Sequence, residues 1–192
     1  MAAPPEKTLH DLNGAWIMNK TLSGDSDAVM QLQGVGWLIR KTISFATVTL
    51  HTKQYMDDAG VEHVDIAQAI SGGKGTQELR ALNNEWEPHS DIVFGKVRGR
   101  CQWIKTADLE GADEDKKWMR EGWDKETLDK GEFIECLVES VDKGWTAWQV
   151  WGFEDVNGER RYARHVVVKD KSGKKVQRIK LIYDWAGQSA SS

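Results

Sequence analysis

One guanidinium on an otherwise apolar strand face is the residue of this sequence best placed to do chemistry. In the run 159–169, ERRYARHVVVK, alternation sets Tyr162, Arg164, Val166 and Val168 on one face and Arg161, His165 and Lys169 on the other. The first face is the more apolar and is expected to point inward. A lone Arg in an apolar cavity is costly unless it finds an anion. A ligand carboxylate would supply one in bidentate geometry, and a protein carboxylate at a barrel mouth is the structural alternative. The last apolar run, near 175–184, sets Ile179, Leu181 and Tyr183 against Arg178, Lys180 and Ile182. Gln149, Trp151 and Phe153 lie on the strand before Arg164. Arg164, Tyr183, Tyr162 and Gln149 are the candidate donors should the chain be a cofactor-free isomerase or cyclase.

Other chemistries find little support. The histidines, His10, His51, His63, His89 and His165, match no metal-ligand spacing. Alternation places His51, His63 and His165 on outward faces, so no metal and no cofactor is expected. Gly-x-Ser-x-Gly, P-loop and strand-linked GxGxxG motifs are absent. With 26 basic against 30 acidic side chains, no basic excess exists to drive nucleic-acid binding. Cys101 and Cys136 are too few for a disulfide framework and read as small buried apolar residues. The N-terminus lacks the apolar core of a signal peptide, and no apolar run could span a bilayer. A cytoplasmic location without integral membrane association is therefore expected.

The elements that must position these residues follow a rhythm of strand-like runs and turn signals. Strands are expected near 12–20, 47–56, 61–70, 75–82, 90–97, 99–105, 132–141, 145–154, 159–169 and 175–184. Asn157-Gly158 is a two-residue hairpin signal. Val48, Leu50 and Thr52, then Val64, Ile66 and Ile70, then Ile134, Cys136 and Val138 form inward faces. A long antiparallel meander twists and tends to close. The fold class expected is all-β: one ten-stranded antiparallel up-and-down barrel spanning 1–192. Residues 25–45 carry apolar side chains at helical spacing and read as a helical pair inserted after the first strand. Ser26 or Asp27 would cap it. Residues 107–130 are an acidic insertion whose Trp118, Met119 and Trp123 fold back onto the barrel, and 186–192 read as a flexible tail.

The ordered set Gly14-Ala15-Trp16, Met30, Gly34-Val35-Gly36 and Arg40-Lys41 resembles the start of the intracellular fatty-acid-binding proteins, members of the calycin (lipocalin-like) superfamily. The whole chain also looks like a group of small fungal calycin-like proteins. The resemblance is direct over about the first 50 residues and architectural beyond them. It implies a flattened barrel with a helix–turn–helix lid over a portal, binding lipids without metal or catalysis. It places Met30, Val35 and Ile43 at that portal. The family's closing strand carries an Arg-x-Tyr carboxylate clamp. Here Tyr183 matches the Tyr, but Leu181 stands at the Arg position, so Arg164 would have to substitute or the ligand is neutral. The expected ligand-binding set is Met30, Val35, Ile43, Gln149, Trp151, Phe153, Tyr162, Arg164, Val166, Leu181 and Tyr183. Two functions follow: binding of a largely apolar small molecule (a lipid or a polyketide- or terpenoid-like compound), or cofactor-independent isomerisation or cyclisation of a hydrophobic natural-product intermediate in the same cavity.

Overall fold

The computed structural model describes residues 1–73 and 75–188. Its strands are β1 (Gly14–Met18), β2 (Val48–Met56), β3 (Glu62–Ile70), β4 (Thr76–Ala81), β5 (Glu87–Asp91), β6 (Gly95–Lys105), β7 (Glu132–Ser140), β8 (Thr146–Val156), β9 (Glu159–Lys169) and β10 (Val176–Trp185). Its helices are α1 (Asp27–Leu32), α2 (Trp37–Phe45), α3 (Glu114–Arg120) and α4 (Lys125–Lys130), with a 3₁₀ turn at Thr106–Leu109. The strands form one antiparallel sheet in the order β4-β3-β2-β1-β10-β9-β8-β7-β6-β5. Pairing of β1 with β10 joins the chain ends and curls the sheet into a barrel. β4 and β5 do not pair, so the barrel is open along that seam.

Local chemistry sets the turns. Asn157 (φ 57°) and Gly158 (φ 80°) both adopt positive φ, and the two-residue turn they make closes the β8–β9 hairpin with Val156 opposite Glu159. The fifth and sixth strands meet elsewhere than the sequence predicts. Asp91 turns the chain by accepting from the Val93 and Phe94 amides (2.7 Å each), and β6 then runs unbroken through Gly99. Gly99 punctuates nothing; a Cβ there would sit 2.9 Å from Nη1 of Arg80, the mobile end of a side chain reaching across the seam from β4.

Three apolar clusters divide the molecule. At the closed end of the barrel, Trp16, Phe153 and Tyr162 pack ring to ring, with Trp16 5.4 Å from Tyr162 and 6.1 Å from Phe153. The N-terminal segment seals this end through Leu9 and Leu12. Under α1, Val29, Val138, Trp145, Val166 and Ile179 form a second cluster. The third lies outside the barrel, where 107–130 covers the outer faces of β7 to β10 with Leu109, Met119 and Trp123 on Phe133, Val150, Ala163, Val167 and Ile182. Asp113 and Asp124 cap α3 and α4 by accepting from backbone amides of their first turns.

Four expectations need correction. His165 does face outward, but the insertion buries it completely. Cys101 and Cys136 are bonded to each other; they lie directly opposite on β6 and β7, with Cα atoms 4.2 Å apart. Two strands separated by a long insertion set that register, which no local pattern discloses. Ala186 and Gly187 are tied to Ala15 by backbone hydrogen bonds of 2.9 and 2.8 Å, so the segment after β10 is anchored at its start; 189–192 lie outside the described residues. At α1, neither Ser26 nor Asp27 caps the helix: the Asp27 amide donates instead to Asp25 Oδ1. No helix among the described residues is long and apolar enough to cross a membrane.

Candidate functional site: a lidded cavity with one buried guanidinium

Above the aromatic plug the barrel is hollow. A cavity of about 300 Å³ lies beneath α1 and α2 and reaches the β4/β5 seam. Its two sides differ. The strands of the continuous sheet and the lid supply Val29, Met30, Val138, Trp145, Val166 and Leu181. The seam supplies polar groups: Glu78 and Arg80 from β4, Glu87, His89 and Asp91 from β5, and Arg100 from β6.

Arg164 sits at the junction of these sides, with only 3% of its surface exposed. Its guanidinium lies 4.0 Å from the ring centroid of Trp151, an attractive arrangement for a desolvated cation. Nε donates to the Tyr162 hydroxyl (2.9 Å) and Nη1 to Glu78 Oε2 (3.3 Å), while Nη2 is buried without a partner. Glu78 also faces Arg80 Nη2 at 3.6 Å. The structural alternative for Arg164, a protein carboxylate near the opening, is thus realised, yet one donor remains over.

The electrostatics follow. Burial alone would raise the Glu78 pKa, but Arg164 and Arg80 outweigh it and hold the carboxyl below its usual range. Burial opposes the Arg164 charge, and the surrounding Tyr162, Tyr183 and Glu78 outweigh that opposition and keep it protonated. Burial pushes the Tyr183 hydroxyl up to about 12 and raises Tyr162 as well. Both phenols are therefore neutral near pH 7 and suited to hydrogen bonding rather than proton transfer. Gln149 Oε1 accepts from Trp151 Nε1 (3.1 Å). Indole nitrogen only donates, so the Gln149 amide NH₂ stays available as a donor.

Of the residues singled out from sequence, Met30, Ile43, Gln149, Arg164, Val166, Leu181 and Tyr183 line the cavity. Val35, Trp151, Phe153 and Tyr162 do not. Val35 is buried in the turn between α1 and α2, where its amide bonds Met30 O. Phe153 and Tyr162 belong to the plug, and Trp151 lies behind Arg164, so Trp151 and Tyr162 reach the cavity only through the guanidinium they hold. Sequence reasoning missed the seam residues, Glu78 above all. A signal for it existed: Ile66 of β3, already assigned inward, pairs with Glu78, and Val64 pairs with Arg80. Directly opposed residues share a face, so the polar side of β4 must look inward.

Fold and cavity together define a calycin barrel of the fatty-acid-binding-protein type. Among solved structures, a Schistosoma mansoni fatty acid binding protein in complex with arachidonic acid superposes with a TM-score of 0.57 at 16% identity, over 91% of this chain and 96% of its own. Fatty-acid-binding protein 1 of Echinococcus granulosus gives 0.55 at 14% identity, over 92% and 98%. These likenesses concern fold. In sequence, the chain is 34% identical over 188 residues to a probable pericyclase, scpY, of Mollisia scopiformis, covering 97% of this chain and 95% of that one. It is 29% identical over 194 residues to the pericyclase pydY of an Acremonium species, covering 99% and 100%. The chain belongs to the protein family of the probable pericyclase scpY. No family model matches it.

Proposed function

We propose that this protein is a cofactor-independent pericyclase that folds a largely apolar natural-product intermediate inside the barrel and accelerates its ring closure or rearrangement. The observation that carries this reading is the 34% identity to a probable pericyclase along nearly the whole chain. A pericyclic reaction moves electrons around one cyclic array, with no ionic intermediate and no external oxidant or reductant. It therefore asks two things of a protein. One is confinement of a flexible chain in the conformer whose reacting termini meet, and such preorganisation is worth several powers of ten. The lid and the apolar side of the cavity offer that confinement. The other is a fixed donor toward a carbonyl conjugated with the reacting π system, since hydrogen bonding there stabilises charge that builds in the transition state. Arg164 Nη2 is such a donor, its plane held by Trp151, Tyr162 and Glu78. Tyr183 and Gln149 stand beside it on the cavity wall.

Isomerisation leaves mass unchanged, which gives a direct test. The purified protein is incubated with a small-molecule extract of the producing organism, without added cofactor, and followed by chromatography with mass spectrometry. The expected result is one feature shrinking while another of identical mass grows. Saturable binding with no change in any isomer ratio would make the barrel a carrier, the reading favoured by its fold.

A further inference from the structure

We propose that the cavity selects a neutral carbonyl head group, the oxygen of a ketone, ester or amide on an apolar chain, over the ionised carboxylate of the same chain, and that Glu78 is the residue that sets this preference. The inference rests on the cavity being the substrate site. Gripping a carboxylate with a guanidinium normally takes two parallel N–H donors. In Arg164 the Nε–H is engaged by Tyr162 and one of the two Nη1 N–H groups by Glu78, so a second carboxylate would have to compete with a partner already in place, and Nη2 is the one guanidinium nitrogen without a partner. The ring of Trp151 lies 4.0 Å from the guanidinium carbon and occupies one side of it. A carbonyl oxygen can bond Nη2 without displacing Tyr162 or Glu78.

Charge leads to the same conclusion. The Arg164 cation already has its counterion, and Glu78 is kept ionised by Arg164 and Arg80. A second carboxylate on Nη2 would lie close to Glu78 in a poorly hydrated space, where repulsion between like charges is strong. No surplus of cations offsets it: among the described residues, the cavity wall carries three guanidiniums (Arg80, Arg100, Arg164) against four carboxylates (Glu78, Glu85, Glu87, Asp91). The wall thus discriminates by a built-in repulsive element as well as by an attractive one.

Tryptophan emission of the intact protein, titrated at pH 7.5 with dodecanamide, 2-dodecanone and dodecanoate below their aggregation limits, tests this. The amide and the ketone should bind about 10-fold or more tightly than the carboxylate. Glu78→Gln keeps the shape and removes the repulsion, so it should tighten dodecanoate selectively and shrink the ratio about 10-fold. The wild-type ranking stands without the variant should that variant misfold. Equal or tighter binding of dodecanoate by the wild type, an unchanged ratio in folded E78Q, or failure of all three probes to bind would overturn the proposal. Conversion is not measured, so the two readings fail separately. Isomerisation by a cavity that prefers carboxylates removes only this inference, and selective binding without conversion removes only the pericyclase.

Discussion

Arg164 and His165 are neighbours in the chain, both ionisable and both buried, yet they serve opposite faces of β9 in opposite ways. His165 points out of the barrel into a sealed layer. Its Nε2 bonds Glu154, Lys180 bonds the same carboxylate at 2.7 Å, and Trp123 stacks on the imidazole with ring centroids 3.8 Å apart. Arg164 lines the cavity with its charge balanced but Nη2 unpartnered. Burying ionisable groups is expensive on either side. On the outside the network uses them to fasten the insertion to the barrel; on the inside it leaves a buried donor unpartnered at the cavity wall. Burial, charge and an unpartnered nitrogen do not mark a site, since His165 Nδ1 is unpartnered as well; what sets Arg164 apart is that it lines a hollow.

The largest effect that would sharpen this contrast is on the outer face. Trp123→Ala removes the main aromatic of the outer layer, where Trp123 contacts His165, Phe133 and the bare Gly152 backbone. It should cost about 3–5 kcal/mol of unfolding free energy, read from urea denaturation. Conversion per folded molecule should survive, and its loss would join the two faces into one site. Next in size is the inner pair. Replacing Glu78 and Arg164 together by Met exchanges a buried ion pair for apolar volume, which leaves stability unchanged or raised. Removal of one transition-state donor typically costs about 100-fold in rate, so turnover should fall by about that factor while the urea midpoint holds. A double variant that unfolds but still converts when folded would invert the assignment.

Much of the inner face was legible from sequence because β2 and β3 obey the apolar-in, polar-out rule and the inward positions of β7 and β10 are apolar, and Val48, Leu50, Val64, Ile66, Ile134, Tyr162 and Tyr183 are all buried; β7, β9 and β10 are apolar outside as well, where the insertion covers them. β4 reverses the rule: Leu79 is 59% exposed while Glu78 and Arg80 look into the cavity. Period-2 alternation tells which residues share a face and not which face is inside, and beside a polar cavity hydrophobicity gives the wrong sign. The helix pair was legible from its spacing, but α2 buries no side chain: Trp37, Leu38 and Phe45 are exposed, and the helix is tethered by Lys20 and Lys143 to backbone carbonyls of α2 and the preceding turn. The family-like motif placed Val35 at the portal by position, whereas its backbone hydrogen bond to Met30 tucks it into the turn.

The smallest effect separates the faces by pH. His165 on β9 is faced by Glu154 of β8, Lys180 of β10 and the aromatics of 107–130, and farther along the same outer surface Asp115 of α3 is held by Lys169 and Arg178. Burial, the main cause, lowers the His165 pKa below its usual 6.5, although Glu154 pulls the other way, and that opposition keeps the effect modest. Below about 6.5 the unfolded chain takes up a proton that the folded imidazole declines, so stability is full above that pH and falls as pH drops through it. The lowered carboxylates Glu154, Asp115 and Glu78 add losses of the same sign, but only below about their ordinary values of 4.5 and 3.8. Between about pH 6.5 and 5 the decline in urea midpoint should therefore trace to His165 and flatten in His165→Gln. Ligand quenching of tryptophan emission should hold across the same window, because Arg164 stays charged throughout. Binding lost there with no change in urea midpoint would make the inner face the pH-sensitive one.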